Sequence, residues 1–232
     1  MTPSSPLTVG MLLFDGVTQL DLTGPYEVLA RMPGTRVILI SPTSEPVRSE
    51  WGLTITPDFT FANAPPLDVV CVPGGWGVDA FLTNVELLDF LRARSANARF
   101  TISVCSGALL LGAAGLLRGY RATTHWMSLD LLPLLGATAA HERVVRDRDR
   151  ITSAGVTAGI DMSIALASEL FGETVAQSIQ LAIEYDPSPP FDSGSPNTAP
   201  ESVRAAVSLA SAPALARRRA IIEQIASRAV RE

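Results

Sequence analysis

The chain has 232 residues, of which 47% are hydrophobic and 18% charged, and its formal net charge is −5. A chain of this length and composition buries one sizeable core, and it contains no run near the roughly 18 apolar residues of a membrane span. The N-terminus lacks the features of a signal peptide, and the richest cationic run, 216–220, is interpreted as a solvated helix face. We therefore expect a cytoplasmic protein of one domain that binds neither nucleic acid nor a membrane.

Four apolar runs rich in β-branched residues occupy 7–14, 35–41, 68–74 and 99–105. Near-continuous apolar strands of this kind suit a sheet that is covered on both faces. Helical patterns lie between the runs. Strands that alternate with helices predict an α/β fold with a doubly wound, mostly parallel sheet and helices on both faces.

The first two helical patterns carry recognisable start signals. The segment 21–32 has Thr23 as its predicted N-cap and Pro25 in its first turn. The segment 84–98 has apolar residues at helical spacing. Both segments are predicted to cover the sheet.

The remaining elements follow from composition and periodicity. They are a short edge hairpin (44–60), two strands around a polar turn (141–155), two helices (159–172 and 173–185), a proline-rich arm without regular structure (186–200) and a final helix (201–231). We predict that 1–185 form the α/β domain and that the arm and last helix, 186–232, belong to the same domain.

A cysteine stands where the strand 99–105 meets the following helix, in the stretch FTISVCSGALLLGAAG. A strand that runs through a small-residue turn into a helix is the layout of a nucleophile elbow, with Cys105 at its tip. The N–H groups and dipole of the helix start favour a thiolate there and can stabilise negative charge on a ligand. The alternative is a small buried hydrophobe that ends a strand, which is how we interpret Cys71 inside its apolar run.

Two further features are predicted to lie at the same sheet edge, because the carboxyl ends of parallel strands open on one side. Gly74 and Gly75, in VPGGWGV, allow backbone N–H groups to approach a ligand closely, although a tight turn explains one of the glycines. Asp21 follows the first strand, where it is either a site carboxyl or a residue of the helix start.

The chain has only two histidines, so a Cys–His pair has few candidates. His125, in ATTHW, is expected in a pocket wall with a mainly structural role, and His141 is expected at the surface. Two histidines and two separated cysteines give little support to a metal site.

Several motifs together resemble those of the ThiJ/PfpI superfamily, the cysteine-elbow relatives of class I glutamine amidotransferases. They are LLFDGVTQLDLTGPYEVL, PPLDVVCVPGGWGV, SVCSGALLLGAAGLLRGYRATTHW, ITSAGVTAGIDMSIAL and EYDPSPPFDSGSPNTAP. Within the superfamily the pattern is most similar to the isocyanide hydratases. The resemblance implies a flavodoxin-like fold, a homodimer, and hydration of isocyanides to N-substituted formamides through a cysteine thioimidate, without a cofactor.

The resemblance also implies roles for individual residues. Cys105 would be the nucleophile and Asp21 the proton donor, with Gly75 and Ser106 orienting the intermediate. The pocket wall would include Gly74, His125 and Trp126. Asp21 aligns where many superfamily members have glutamate, and Ser106 where the hydratases commonly have threonine.

Other functions share these motifs. The same cysteine serves glyoxalase-like or amidase-like chemistry elsewhere in the superfamily, and a redox or ligand sensor would use its oxidation instead. AraC-type regulators carry similar motifs but continue into two helix-turn-helix modules. Since this sequence stops at residue 232, we expect no such module.

Overall fold

The alternating strands and helices form a seven-stranded central sheet in the computed structural model, which describes residues 6–229. The strands are β1 (Leu7–Leu12), β2 (Thr35–Ser41), β3 (Val47–Arg48), β4 (Thr54–Ile55), β5 (Phe59–Thr60), β6 (Val69–Val72), β7 (Phe100–Val104), β8 (Arg121–Ala122), β9 (Thr138–Ala139), β10 (Val144–Asp147) and β11 (Arg150–Ser153). The helices are α1 (Gln19–Leu29), α2 (Val78–Phe81), α3 (Val85–Ser95), α4 (Gly107–Ala113), α5 (Ala158–Phe171), α6 (Glu173–Ala182) and α7 (Glu201–Ala229), with two 3₁₀ turns at Trp126–Leu131 and Pro133–Leu135.

The central sheet has the strand order β10-β11-β7-β6-β1-β2-β5. All neighbouring pairs are parallel except β10 and β11 at one edge. The direction of strand addition reverses between β1 and β6, and such a reversal opens a crevice at the carboxyl ends of the strands. The predicted α/β, mostly parallel, doubly wound sheet is confirmed.

The central strands are buried on both faces, which is why their sequences are almost continuously apolar. Helix α1 packs on α5, and α3 packs on α4. Helix α7 packs against the two 3₁₀ turns. This last contact brings the C-terminal part of the chain to the edge of the sheet where the crevice lies.

Two local predictions need correction. Helix α1 begins at Gln19 rather than after Thr23, because the Asp21 amide already donates to the Thr18 carbonyl. The Thr23 hydroxyl donates to the Gln19 carbonyl, and Pro25 lies beyond the first turn. The hairpin predicted in 44–60 exists as β3 and β4, but it forms a separate sheet, and β5 supplies the edge of the central one.

The C-terminal elements agree with the predicted pattern. The proline-rich segment 186–200 carries no helix or strand, and all of it lies within the described residues. The final helix is described to Ala229, so positions 230 and 231 of its predicted span lie outside the described residues.

Cys71 gives a test of core packing, since it is 0% exposed in β6, between Met11 of β1 and Ile102 of β7. We expect Cys71→Ala to lower the free energy of unfolding by about 1–3 kcal/mol, because it removes a buried sulfur from a filled core. Urea denaturation measures this loss. An unchanged urea midpoint would show that neighbouring side chains move to fill the space left by the sulfur.

Candidate active site

Cys105 occupies the tip of a strained turn between β7 and α4. Its φ of +54° lies in the left-handed region, which is unfavourable for a residue with a Cβ. The turn is held on two sides: the Cys105 amide donates to the Ala154 carbonyl at 2.9 Å, and the Thr124 hydroxyl donates to the Cys105 carbonyl at 2.7 Å. The predicted cysteine elbow is therefore present.

A close approach of α4 to the end of β6 supports this turn. A Cβ on Gly107 would lie 2.1 Å from the Val72 carbonyl oxygen, so only glycine fits there. The approach brings the residue after the cysteine against the Gly74–Gly75 turn. Ser106 Oγ donates to the Gly75 carbonyl at 3.1 Å and accepts from the Gly75 amide at 3.0 Å.

The Gly74–Gly75 turn also binds Asp21, which is 0% exposed in the first turn of α1. The Gly74 amide donates to Asp21 Oδ2 at 2.9 Å, while Asp21 Oδ1 has no hydrogen-bond partner within the standard distance among the described residues. A Cβ on Gly74 would lie 2.6 Å from the Ser106 nitrogen and 2.9 Å from Asp21 Oδ2. Because residue 74 is a glycine, α1, the end of β6 and the start of α4 can pack together at this point.

The Gly75 amide was expected to donate to a bound intermediate, but in the structure it donates to a side chain of the protein. Its hydrogen-bond partner is Ser106 Oγ, so this N–H is already engaged in the structure. The backbone groups that interact with the Cys105 sulfur are the amides of Ser106 and Val156, and both lower the pKa of the thiol. Val156 follows β11 in SAGVTAG, and its position after a parallel strand is the signal that could have identified it.

Burial dominates the electrostatics of Asp21 and Cys105. Burial raises the pKa of the Asp21 carboxyl to about 7, against the lowering effects of the Gly74 hydrogen bond and of the neighbouring Cys105 thiol. Burial, and then the charge of Asp21, raises the pKa of the Cys105 thiol. Desolvation therefore opposes the thiolate expected from the helix start, and that thiolate stays a prediction. As the pH rises through about 7, Asp21 is therefore the first of the two groups to lose its proton, while Cys105 keeps its own.

The elbow opens into a cavity of about 160 Å³ at the sheet edge. Its wall contains Cys105, Ser106, Gly75 and His125, together with groups that the sequence analysis did not identify. These additional groups are Thr18, Glu50, Trp76, Met127, Val156, Leu215 and Arg218. Leu215 and Arg218 come from α7, more than a hundred residues after the elbow, and no local motif indicates that they belong there.

The environment of His125 keeps its imidazole neutral at pH 7. Burial, and then the positive charge of Arg218, lowers the pKa of this ring to about 4. His125 Nδ1 accepts from the Met127 amide at 3.4 Å. The Trp126 ring lies beside the imidazole, with centroids 5.8 Å apart, but Trp126 is not part of the cavity wall. His141 is exposed.

The interpretation of 216–220 as a solvated helix face is wrong at its centre. The neighbours Arg217 and Arg219 are exposed, but Arg218 is only 4% exposed and forms an ion pair with Asp79. A buried arginine within an exposed cationic run has no signature in the sequence.

The described residues form neither a metal site nor a membrane-spanning helix. Within 6–229, no three His, Cys, Asp or Glu side chains are grouped so that they could hold a metal ion. In the same range, every helix is too short or too polar to cross a bilayer.

The fold and the strained cysteine define an α/β protein with a cysteine elbow at the topological switch of its sheet. The DJ-1/PfpI family model matches residues 8–169, and the chain belongs to that family. The match includes Asp21, the Gly74–Gly75 turn, Cys105 and Val156. It ends before the arm and α7.

Individual relatives extend this comparison. The isonitrile hydratase of Pseudomonas putida is 52% identical over 96% of this chain and 97% of its own length. The crystal structure of a ThiJ/PfpI family protein from Pseudomonas syringae superimposes with a TM-score of 0.92, at 43% identity, over 94% of this chain and 91% of that one. The predicted resemblance to the isocyanide hydratases of this superfamily is confirmed.

A regulator also shares the family core. The HTH-type transcriptional regulator GbdR of Pseudomonas aeruginosa is 33% identical over 78% of this chain, and the match spans about half, 52%, of the regulator. The core thus occurs in proteins with different overall organisation.

The buried carboxyl predicts a pH-dependent stability difference. The pKa of Asp21 is raised from 3.8 to about 7 on folding, so the stability that this group contributes is complete below pH 3.8 and is lost as the pH rises through 7. Asp21→Asn removes that loss. Relative to the variant, the wild type should lose roughly 3–4 kcal/mol of unfolding free energy between pH 4 and pH 8.

Urea denaturation at both pH values measures this difference. Asp192→Asn, on the exposed arm, provides a matched control that should follow the wild type. Parallel stability curves for the wild type and Asp21→Asn would show that the carboxyl ionises in the folded protein without a penalty.

Proposed function

We propose that this protein hydrates isocyanides to N-substituted formamides through a covalent thioimidate on Cys105. The observation that carries the proposal is the pair formed by a buried carboxyl, whose pKa is about 7, and the elbow cysteine with which it interacts. The isonitrile hydratase that is 52% identical over almost the full length supports the choice of substrate.

The first step uses the proton that the pair shares. An isocyanide accepts a nucleophile and a proton at the same terminal carbon, so both groups must approach one point. The Cys105 sulfur forms the C–S bond while its proton passes to the Asp21 carboxylate, and Asp21 then delivers a proton to that carbon. The product is the thioimidate R–N=CH–S–Cys, which contains every atom of the thiol and the isocyanide.

The second step adds water to the thioimidate carbon. Asp21 accepts a proton from the attacking water and passes it to the nitrogen, and the C–S bond of the adduct then breaks as the adduct hydroxyl releases its proton. The formamide R–NH–CHO leaves, and the departing sulfur recovers a proton. Since isocyanide and water supply all the atoms of the product and no electrons are exchanged, the reaction requires no cofactor.

The remaining cavity residues orient the reacting groups. The Ser106 and Val156 amides interact with the sulfur and stabilise the negative charge that it carries on attack and departure. Ser106 Oγ fixes the Gly75 turn, so Gly75 orients the intermediate through Ser106. The neutral His125 ring serves as wall rather than as a base, since its pKa is about 4.

The proposal includes a cytoplasmic homodimer. The two cysteines are free, which suits a reducing compartment. Leu181, Phe191 and Leu209 are each more than three-quarters exposed, and they lie on α6, the arm and α7. The homodimer is what the resemblance to the superfamily implies, and these three side chains are candidates for its interface. Light scattering after size exclusion tests the dimer, and a monomeric mass would exclude it.

A substrate panel distinguishes this function from the alternatives. The protein is incubated separately with p-nitrophenyl isocyanide, methylglyoxal and hydrogen peroxide, and formamide, lactate and cysteine sulfinate are followed by mass. We expect formamide to be the product formed with turnover. Lactate without formamide would indicate glyoxalase-like chemistry, and sulfinate as the only product would indicate a redox sensor.

Removing the sulfur tests the nucleophile. Cys105→Ala should lower formamide production roughly 10³-fold or more while the fold is retained, because no other nucleophile lies at the elbow. Cys71→Ala is the matched control, since it removes the other thiol, which does not line the cavity, and it should keep kcat. Activity above a few per cent in Cys105→Ala would contradict the assignment.

Asp21 requires two variants. Asp21→Asn can still accept the Gly74 hydrogen bond but cannot deliver a proton, so kcat should fall by roughly 10²–10⁴-fold. Asp21→Glu keeps the acid but moves it by one methylene, and its kcat should lie between those of the wild type and Asp21→Asn. Nearly wild-type turnover by the Asn variant would remove Asp21 from the proton path.

A further inference from the structure

The C-terminal helix brings a guanidinium into the cavity wall. Arg218 is 4% exposed and lines the same cavity as Cys105. Its Nε atom donates to Asp79 in α2, Nη1 donates to Ser128 Oγ at 3.3 Å, and Nη2 donates to the Gly75 carbonyl at 3.4 Å. The guanidinium carbon also lies 5.0 Å from the centre of the Trp76 ring.

These contacts connect α7 to the turn that holds the elbow. The Gly75 carbonyl accepts from Arg218 and also from Ser106 Oγ, and Ser106 follows the cysteine directly. Trp76, on which the guanidinium stacks, forms another part of the cavity wall. Arg218 therefore contacts both the backbone that fixes Ser106 and the ring that bounds the substrate space.

The charges around Cys105 give the guanidinium a second effect. The charged or titratable groups around Cys105 are the buried Asp21 of α1 and three residues of the cavity wall: Glu50 from the β3–β4 hairpin, His125 before the first 3₁₀ turn, and Arg218 from α7. Arg218 is the one permanent cation among them. A cation at the wall favours the state in which the proton shared by Asp21 and Cys105 has been lost.

We propose that Arg218 is a positioning residue of the cysteine centre: it holds the Gly75–Trp76 turn against Ser106 and supplies the positive charge that promotes thiolate formation at Cys105. The inference rests on the proposed role of Cys105 as nucleophile. It assigns a function to a residue outside the region, 8–169, that the family model matches. The positive charge of Arg218 acts in this direction, since it lowers the pKa of both Cys105 and His125.

The test measures the reactivity of Cys105 without an isocyanide, so it does not depend on the proposed substrate. The rate of alkylation by iodoacetamide is followed from pH 5 to pH 10, with the modified cysteine located by peptide mass. Arg218→Met should slow alkylation at pH 7 by about tenfold, which corresponds to a rise of one unit in the apparent pKa of the shared-proton pair. Arg218→Lys keeps a charge but loses the planar set of contacts, so it should retain most of the alkylation rate and lose formamide kcat.

A neighbouring arginine offers a matched control. Arg219 lies on the same helix and pairs with Asp130 at the exposed surface. Arg219→Met removes the same charge from α7 without changing the cavity, and it should keep the wild-type alkylation profile and kcat. If Arg218→Met and Arg219→Met both matched the wild type at pH 7, the proposal would be overturned.

A second variant, with an expected effect on the alkylation rate of opposite sign, tests the proposal if Arg218→Met does not fold. Asp79→Asn removes the partner of the guanidinium and leaves its charge less compensated. Alkylation at pH 7 should then become faster, by about threefold, because the thiolate is favoured further. Slower or unchanged alkylation in folded Asp79→Asn would contradict the electrostatic role, even if isocyanide were not the substrate.

Discussion

The hydrogen bond from the Gly74 amide to the buried Asp21 carboxyl fixes the spatial arrangement of this site. It connects the first turn of α1 to the end of β6, the two elements on either side of the topological switch. The same turn then accepts the Ser106 hydroxyl through Gly75, which brings the elbow of β7 into the group. Helix α1, the turn after β6 and the elbow after β7 thus meet through short polar contacts, and a side chain on Gly74 would force them apart.

These contacts place two unfavourable features side by side, a cysteine with positive φ and a carboxyl removed from water. Each feature opposes folding by itself. The protein tolerates both because they stand at the end of a sheet whose central strands are buried on both faces. Burial also has a chemical consequence: since neither group ionises easily beside the other, the pair keeps a proton close to the Cys105 sulfur.

Sequence patterns predicted the sheet and most of this edge because both depend on local signals. Continuous apolar strands identified the parallel core, and the strand-to-helix turn identified Cys105. The predicted N-cap at Thr23 was wrong, because α1 begins several residues earlier, at Gln19. The protonation state of the site could not be predicted, since motifs indicate donors near the sulfur but contain no measure of desolvation. Arg218 could not be predicted, because its burial depends on how α7 packs on the 3₁₀ turns.

The cavity residues that no local motif indicates lie on both sides of the boundary of the family match, and the two from α7 lie beyond it. Asp21, Gly74 and Cys105 lie inside 8–169 and form the part that the chain shares with its family. Leu215 and Arg218 lie beyond it, yet both line the cavity. The regulator GbdR matches this chain over about half of its own length, so a similar core occurs in proteins of different organisation. In the proposed mechanism the core carries the cysteine and α7 carries part of the cavity wall with its cation, so we expect substitutions in the wall to change which ligand the cavity accepts. This arrangement allows one elbow geometry to serve several chemistries.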